Sequence, residues 1–254
     1  MQVTDTPEHP NTGVRLAKHL AEQLQCSRRE AELLIENGDV QVDGQTVETL
    51  GARVLPTQTV TVRPGAKPQE VPPVTLLLHK PAGYTVGPAR GKQRSALDLL
   101  KPECRAEIDT PAPIKVLSKH FTHLETVLTI PVPASGLVVF TQDHRVLRKL
   151  REDALHIEQE CIALVEGALA EGGLERLCDG TAIPGKKLPR CKVSWQSEGR
   201  LRFALKGIFP EEIEAMCAGV GLTLVGLKRL RVGRISMAKL PEGQWRYAMP
   251  WERF

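Results

Sequence analysis

The chain has 254 residues, of which 41% are hydrophobic and 25% charged, and it carries a net charge of +4. That length accommodates one small and one larger domain, and the composition excludes wholesale disorder and a long coiled coil. No apolar run reaches the roughly 18–20 residues of a membrane span, and the first residues lack the charged-then-apolar pattern of an export signal, so a cytoplasmic protein with no membrane partner is expected.

Residues 1–12 show no apolar period and read as a frayed terminus. Val14, Leu16, Leu20, Ala21 and Leu24 recur at helical spacing, and Ser27-Arg28-Arg29-Glu30 has the capping-box pattern that starts a second helix, ending at Asn37-Gly38. Val40-Gln41-Val42, the turn Asp43-Gly44, Thr46-Val47 and Thr59 to Val62 follow as short strands opened by a hairpin signal. The proline-rich stretch 64–73 reads as a semi-rigid linker, giving a first domain over 13–63 and a second over 74–254. In the second, strands are expected at Val74 to Leu78, Gly136 to Phe140 and Glu160 to Val165, and helices at Arg145 to Arg151, Leu174 to Cys178 and Glu211 to Cys217. The lack of strict alternation predicts an α+β fold around a mostly antiparallel sheet.

Cys26, Cys104, Cys161, Cys178, Cys191 and Cys217 form no Cys-x-x-Cys pair, which argues against a zinc site or a disulfide framework and predicts reduced, mostly buried thiols. His120 and His123 lack a third ligand at a recognisable spacing and read as surface or loop residues, so no metal and no cofactor is expected. Residues 1–66 hold six Lys and Arg against nine Asp and Glu, a net charge of −3, and the remainder carries +7. Contact of the first domain with a polyanion therefore needs a local basic cluster. Arg15 and Lys18 lie three apart on one helix, and Ser27, Arg28 and Arg29 open the next, where free amides and the helix dipole favour phosphate.

The run Arg15 to Leu20, then Cys26 to Ala31, Ile35 to Val40 and Val42-Asp43-Gly44 resembles the small RNA-binding domain named after ribosomal protein S-four. The second segment is similar to the RsuA-like pseudouridine synthases that carry this domain at the N-terminus. Lys80-Pro81-Ala82-Gly83 resembles the family's Asn-Lys-Pro-x-Gly, and Ser135 to Asp143 its Gly-Leu-Leu-Leu-Leu-Thr-Asn-Asp strand. Ile157 to Glu160, Leu227-Lys228-Arg229-Leu230-Arg231-Val232-Gly233 and Leu240 to Arg246 resemble later family segments. The resemblance implies RNA as the partner, structured ribosomal RNA in particular, and Lys80, Arg229 and Arg231 as further RNA contacts, although the leucines and Val232 between the last basic residues also suit a half-buried strand, and nothing in the chain demands more than a monomer.

The same resemblance implies an aspartate that attacks or assists at the ribose, written in the family as Gly-Arg-Leu-Asp-x-Asp-Ser/Thr-x-Gly-Leu. Aligned on Gly136-Leu137, this chain has Pro131 at the aspartate, Thr129 at the arginine, Pro133 at the second aspartate and Ala134 at the hydroxyl residue. Proline has no ionisable group and cannot replace a carboxylate. Cys161 stands where the family has tyrosine, and Glu211, Glu212 and Glu214 where it has a basic helix. The expectation is an RNA-binding pseudoenzyme with no catalytic residue. The alternative is an active synthase with a relocated acid, for which Glu125, six residues before Pro131, is the fallback.

Overall fold

The capping box at Ser27 organises the first part of the chain. In the computed structural model, which describes residues 13–107 and 114–254, Ser27 Oγ accepts from Glu30 N at 3.2 Å while Ser27 N donates to the Glu30 carboxylate at 2.8 Å. The strand β1 (Val14–Arg15) leads into α1 (Leu16–Leu24), and the capped helix is α2 (Arg28–Glu36). Strands β2 (Val40–Val42) and β3 (Gln45–Thr46) form a hairpin whose turn residues Asp43 and Gly44 both have positive φ, as an Asp-Gly turn of this kind requires. Strand β4 (Arg53–Val54) pairs with β1, and β5 (Val60–Val62) completes the order β3-β2-β5. Leu16, Leu20, Ala31, Leu34, Ile35, Val40, Val54 and Val60 make one apolar core.

The described residues fall into two compact units. The first runs through Pro72 and also takes in residues 114–122. Lys115 Nζ donates to the carbonyls of Asn37 and Gly38 at 2.7 and 2.8 Å, just past the end of α2, where free carbonyls and the helix dipole attract a cation. Lys119 Nζ reaches Glu36 at 2.7 Å, and Ser118 N donates to Glu48 at 2.6 Å. His120, expected at the surface or in a loop, lies in a short 3-10 turn and is buried, and burial pushes its imidazole below the ordinary range.

The second unit comprises residues 73–107 and 123–254 among those described. Its strands are β6 (Thr75–Lys80), β7 (Tyr84–Thr85), β8 (Arg94–Ser95), β9 (Ser135–Thr141), β10 (Gln159–Gly167), β11 (Lys192–Ser197), β12 (Arg200–Leu205), β13 (Leu222–Val232), β14 (Ile235–Ser236) and β15 (Trp245–Tyr247). The main sheet runs β11-β12-β10-β13-β9-β6-β15, with β14 beside β13. Its pairs are antiparallel except β13 against β9, so the fold is the expected α+β type. Helix α3 (His144–Glu152) is capped by Asp143, which accepts from Arg145 N at 2.8 Å, as its position after the strand predicts. Helices α4 (Gly173–Asp179) and α5 (Ile213–Ala218) follow. Leu77, Leu137, Val139, Leu150, Ile157, Val232 and Leu240 belong to one core. No helix among the described residues is long and apolar enough to cross a membrane.

Candidate functional site

Two strand pairings bring the degenerate motif together. Arg229 in β13 sits opposite Gly136 in β9 and opposite Cys161 in β10. Gly136 has φ +117°, and a Cβ built there would lie 2.2 Å from the Arg229 carbonyl oxygen, so glycine is required for β9 to approach β13 this closely. The loop 128–134, which holds Pro131, feeds directly into β9. Pro131, Arg229 and Cys161 thus belong to one corner of the second unit.

Two cations grip this loop from inside. Lys80, at the end of β6, is fully buried, and its ammonium donates to the carbonyls of Pro81 (2.9 Å), Tyr84 (2.8 Å), Val132 (3.2 Å) and Ala134 (2.6 Å). Arg229 is also fully buried. Its Nε donates to Leu137 O at 2.8 Å, Nη1 to Thr129 O at 3.0 Å and Gln159 Oε1 at 2.8 Å, and Nη2 to Leu128 O at 2.7 Å. Among the described residues no carboxylate forms an ion pair with either side chain. Burial, reinforced by the nearby Arg229 charge, pushes the Lys80 amine down to about 8. Burial likewise pushes Arg229 down to about 10, against the opposing pull of Cys161 and Glu211.

These positions correct the expectation that Lys80 and Arg229 contact RNA. Both are sealed from solvent with their protons engaged by main-chain and amide oxygens, so each acts as an internal brace of the loop. Arg231, also expected to contact RNA, is half-buried and paired with Glu158 and Glu160, and Arg202 joins Glu160 from β12 at 3.0 Å. Its charge is neutralised within the sheet.

Cys161 is fully buried, and burial pushes its thiol up to about 12. A thiol held protonated in this way is a poor nucleophile. The cysteines as a group are free, but only Cys161 and Cys217 are fully enclosed and the other four are half-buried, which corrects the expectation of mostly buried thiols. Glu125 is also misplaced for a relocated acid. It pairs with Thr141 by two main-chain bonds of 3.0 and 2.8 Å, at the far end of β9 from Pro131, and its carboxylate binds Arg151 at 2.8 Å. Six residue steps along β9 put it roughly 20 Å from the start of that strand.

A carboxylate that the sequence pattern did not nominate lies closer. Glu211, in the 3-10 turn Pro210–Glu212 leading into α5, receives a hydrogen bond from Thr129 Oγ1 at 3.4 Å. The carbonyl of the same Thr129 is an acceptor for Arg229. Glu211 is exposed, and its charge reaches both Arg229 and Cys161. Its neighbour Glu212 is held by Lys186 at 2.7 Å. The signal in the sequence was the acidic run itself, which reads as repulsive to phosphate rather than as a partner of a buried cation.

In the first unit, Arg15, Lys18 and Arg28 line one open concavity of about 390 Å³ together with Ala21, Glu22 and Cys26. Arg28 also holds Glu32 at 3.1 Å, and Arg29 turns away to Glu36 (3.9 Å) and Glu70 (3.2 Å). Ser27 serves as the helix cap. Three of the five expected contacts therefore converge, and Arg29 and Ser27 have internal partners.

The α1–α2 unit with its basic concavity and a mixed, mostly antiparallel sheet whose loop at Pro131 is braced by two buried cations make up a two-unit α+β protein. The S4 domain matches residues 14–60. The dual-specificity RNA pseudouridine synthase RluF of Escherichia coli K12 is 27% identical over 239 residues, 93% of this chain and 76% of the relative. A putative ribosomal large subunit pseudouridine synthase of Arabidopsis thaliana, SVR1, is 29% identical over 86% of this chain and 54% of its own length. A solved pseudouridylate synthase superposes with a TM-score of 0.55 at 18% identity, covering 93% of this chain and 96% of that one, and shows the shared fold. The chain is thus similar to RNA pseudouridine synthases over most of its length and carries an S4 domain at residues 14–60.

Proposed function

We propose that this chain is a cytoplasmic, non-catalytic RNA-binding protein, a monomer that grips structured ribosomal RNA through its S4 domain and needs neither metal nor cofactor. The first unit supplies Arg15, Lys18 and Arg28 around one concavity, which suits phosphate positioning rather than base reading. The observation that carries the absence of catalysis is the closed corner at Pro131. Two buried cations face the loop, their hydrogen-bond partners among the described residues are uncharged, and the tyrosine position holds a thiol kept protonated. Uridine isomerisation through an aspartate needs an ionised carboxylate at the sugar. Purified protein should bind ribosomal RNA fragments with an affinity that falls steeply with salt and should leave every uridine unchanged by mass-based detection of pseudouridine. Stoichiometric pseudouridine formation would overturn this reading.

A second reading rests on one specific observation, the approach of Glu211 to Thr129 and to the field of Arg229. On that reading the chain is an active synthase with its acid moved to the 3-10 turn. Comparison of ribosomal RNA from cells with and without the gene decides between the two. If pseudouridine depends on the gene, Glu211→Gln should abolish it and Glu125→Gln should not.

A further inference from the structure

The junction between α4 and β11 holds two thiols in an arrangement that the RNA-binding reading does not use. Cys178 lies near the end of α4 and Cys191 just before β11. Cys191 N donates to Cys178 O at 2.9 Å, and a main-chain bond of this kind keeps the two Cα atoms roughly 5–6 Å apart, within the span of a disulfide. Each sulfur lies against the other residue's side of the junction: Cys191 Sγ contacts Leu177 O at 3.4 Å and Cys178 Sγ contacts Val193 O at 3.5 Å.

The intervening loop is already closed by other bonds. Arg190 pairs with Asp179 at 2.8 Å, Lys187 Nζ donates to Asp179 O at 2.7 Å, and Leu188 N donates to Gly180 O at 2.9 Å. A covalent bond at 178–191 would therefore join loop ends that are already held together, with each sulfur turning from its present carbonyl contact toward the other. The same loop carries Lys186, the partner of Glu212 beside the degenerate corner.

We propose that Cys178 and Cys191 form a reversible disulfide under oxidising conditions, a thiol-redox site that clasps the loop 179–190. The oxidant is a small-molecule disulfide such as oxidised glutathione. One cysteine thiolate attacks it, releasing one glutathione and leaving a mixed disulfide. The second cysteine thiolate then displaces the other glutathione. Two cysteine protons and two electrons leave the protein, and one oxidised glutathione becomes two reduced ones. Burial and the neighbouring Cys178 push the Cys191 thiol up to about 11, so the uncatalysed exchange runs slowly, over minutes to hours.

The test is to equilibrate the folded, full-length protein with excess oxidised glutathione, block remaining thiols and map the cysteines by mass spectrometry. A 178–191 cross-linked peptide is expected, two hydrogens lighter than the reduced pair, while Cys26 and Cys104 remain free or carry glutathione singly. Oxidation should raise the Tm of the second unit by roughly 5–10 °C, and reductant should reverse it. Cys191→Ser should lose both the cross-link and the shift while keeping the reduced protein's Tm within a few degrees. If Cys178 and Cys191 stay free, carry glutathione separately, or pair with other cysteines, the proposal is overturned.

Discussion

Replacing Arg229 by methionine tests whether the degenerate corner is a structural brace. The substitution keeps an unbranched apolar side chain in a fully buried position but leaves the oxygens of Leu128, Thr129, Leu137 and Gln159 without their donor. Hydrogen bonds to a charged donor contribute about 1.5–3 kcal/mol each, so four of them amount to roughly 6–12 kcal/mol. Removing a buried guanidinium returns part of that. Its depression from 12.5 to about 10 corresponds to about 3 kcal/mol of unfavourable burial. The net expectation is a loss of about 3–9 kcal/mol. All three tryptophans, Trp195, Trp245 and Trp251, lie in the second unit, so tryptophan fluorescence in urea follows that unit alone. Arg229→Met should shift its midpoint sharply downward at pH 7, leaving the first unit's far-ultraviolet signal in place. A change under 1 kcal/mol would refute the brace and reopen Arg229 as a residue held for a ligand.

Two further outcomes follow from named groups. Lys80 titrates near 8 in the fold against an ordinary 10.5, so between those values the unfolded chain binds a proton that the folded one does not, and stability rises with pH across that window by at most about 3 kcal/mol. The four carbonyls around the ammonium favour its charged form and reduce this figure. Cys161 and Cys217, pushed up to about 12, act with the opposite sign above about 9, because the unfolded chain releases protons that the fold keeps. Urea midpoints of the second unit should therefore climb from pH 7.5 to about 9 and then fall, and Lys80→Met should remove the climb; a flat wild-type profile would contradict the placement of the ammonium. In the first unit, Ser27→Ala removes the cap of α2 and should cost about 1 kcal/mol, read from the denaturation of that unit by circular dichroism, with a neutral result excluding a stabilising cap.

Local chemistry was readable where one short stretch determines the outcome. Ser27 with Glu30, Asp43 with Gly44, and Asp143 before α3 each satisfy their neighbours within three residues, and each does so in the structure. The fate of Lys80 and Arg229 was not readable in the same way, because Leu128, Thr129, Val132, Ala134 and Leu137, which supply most of their partners, are remote from both in the chain. A signal did exist for Arg229: it shares the period-two face of β13 with the buried Leu227, whereas Lys228 lies on the other face. The basic run there was therefore half inward-facing. The attachment of residues 114–122 to the first unit had no such signal, since it rests on Lys115 and Lys119 meeting the end of α2 through tertiary packing.

The loop around Pro131 is held by main-chain groups rather than by its side chains. An aspartate at position 131 would have been one anion among neutral oxygens, whereas the loop's shape depends on carbonyls at 128, 129, 132 and 134 bonded to two buried cations. Those carbonyls belong to the main chain and survive any side-chain replacement, including proline, whose own carbonyl still accepts from Ala134 N at 3.0 Å. Chemistry and architecture at this corner are thus separable. The side chain at position 131 can change while the braces stay intact, so likeness of fold at 18% identity conveys nothing about turnover. On the proposed reading, introducing an acid alone by Pro131→Asp should not confer activity while Cys161 stands where the related synthases are expected to have tyrosine. Pseudouridine produced by that single variant would mean that the remaining corner is a working site that lacks only its anion.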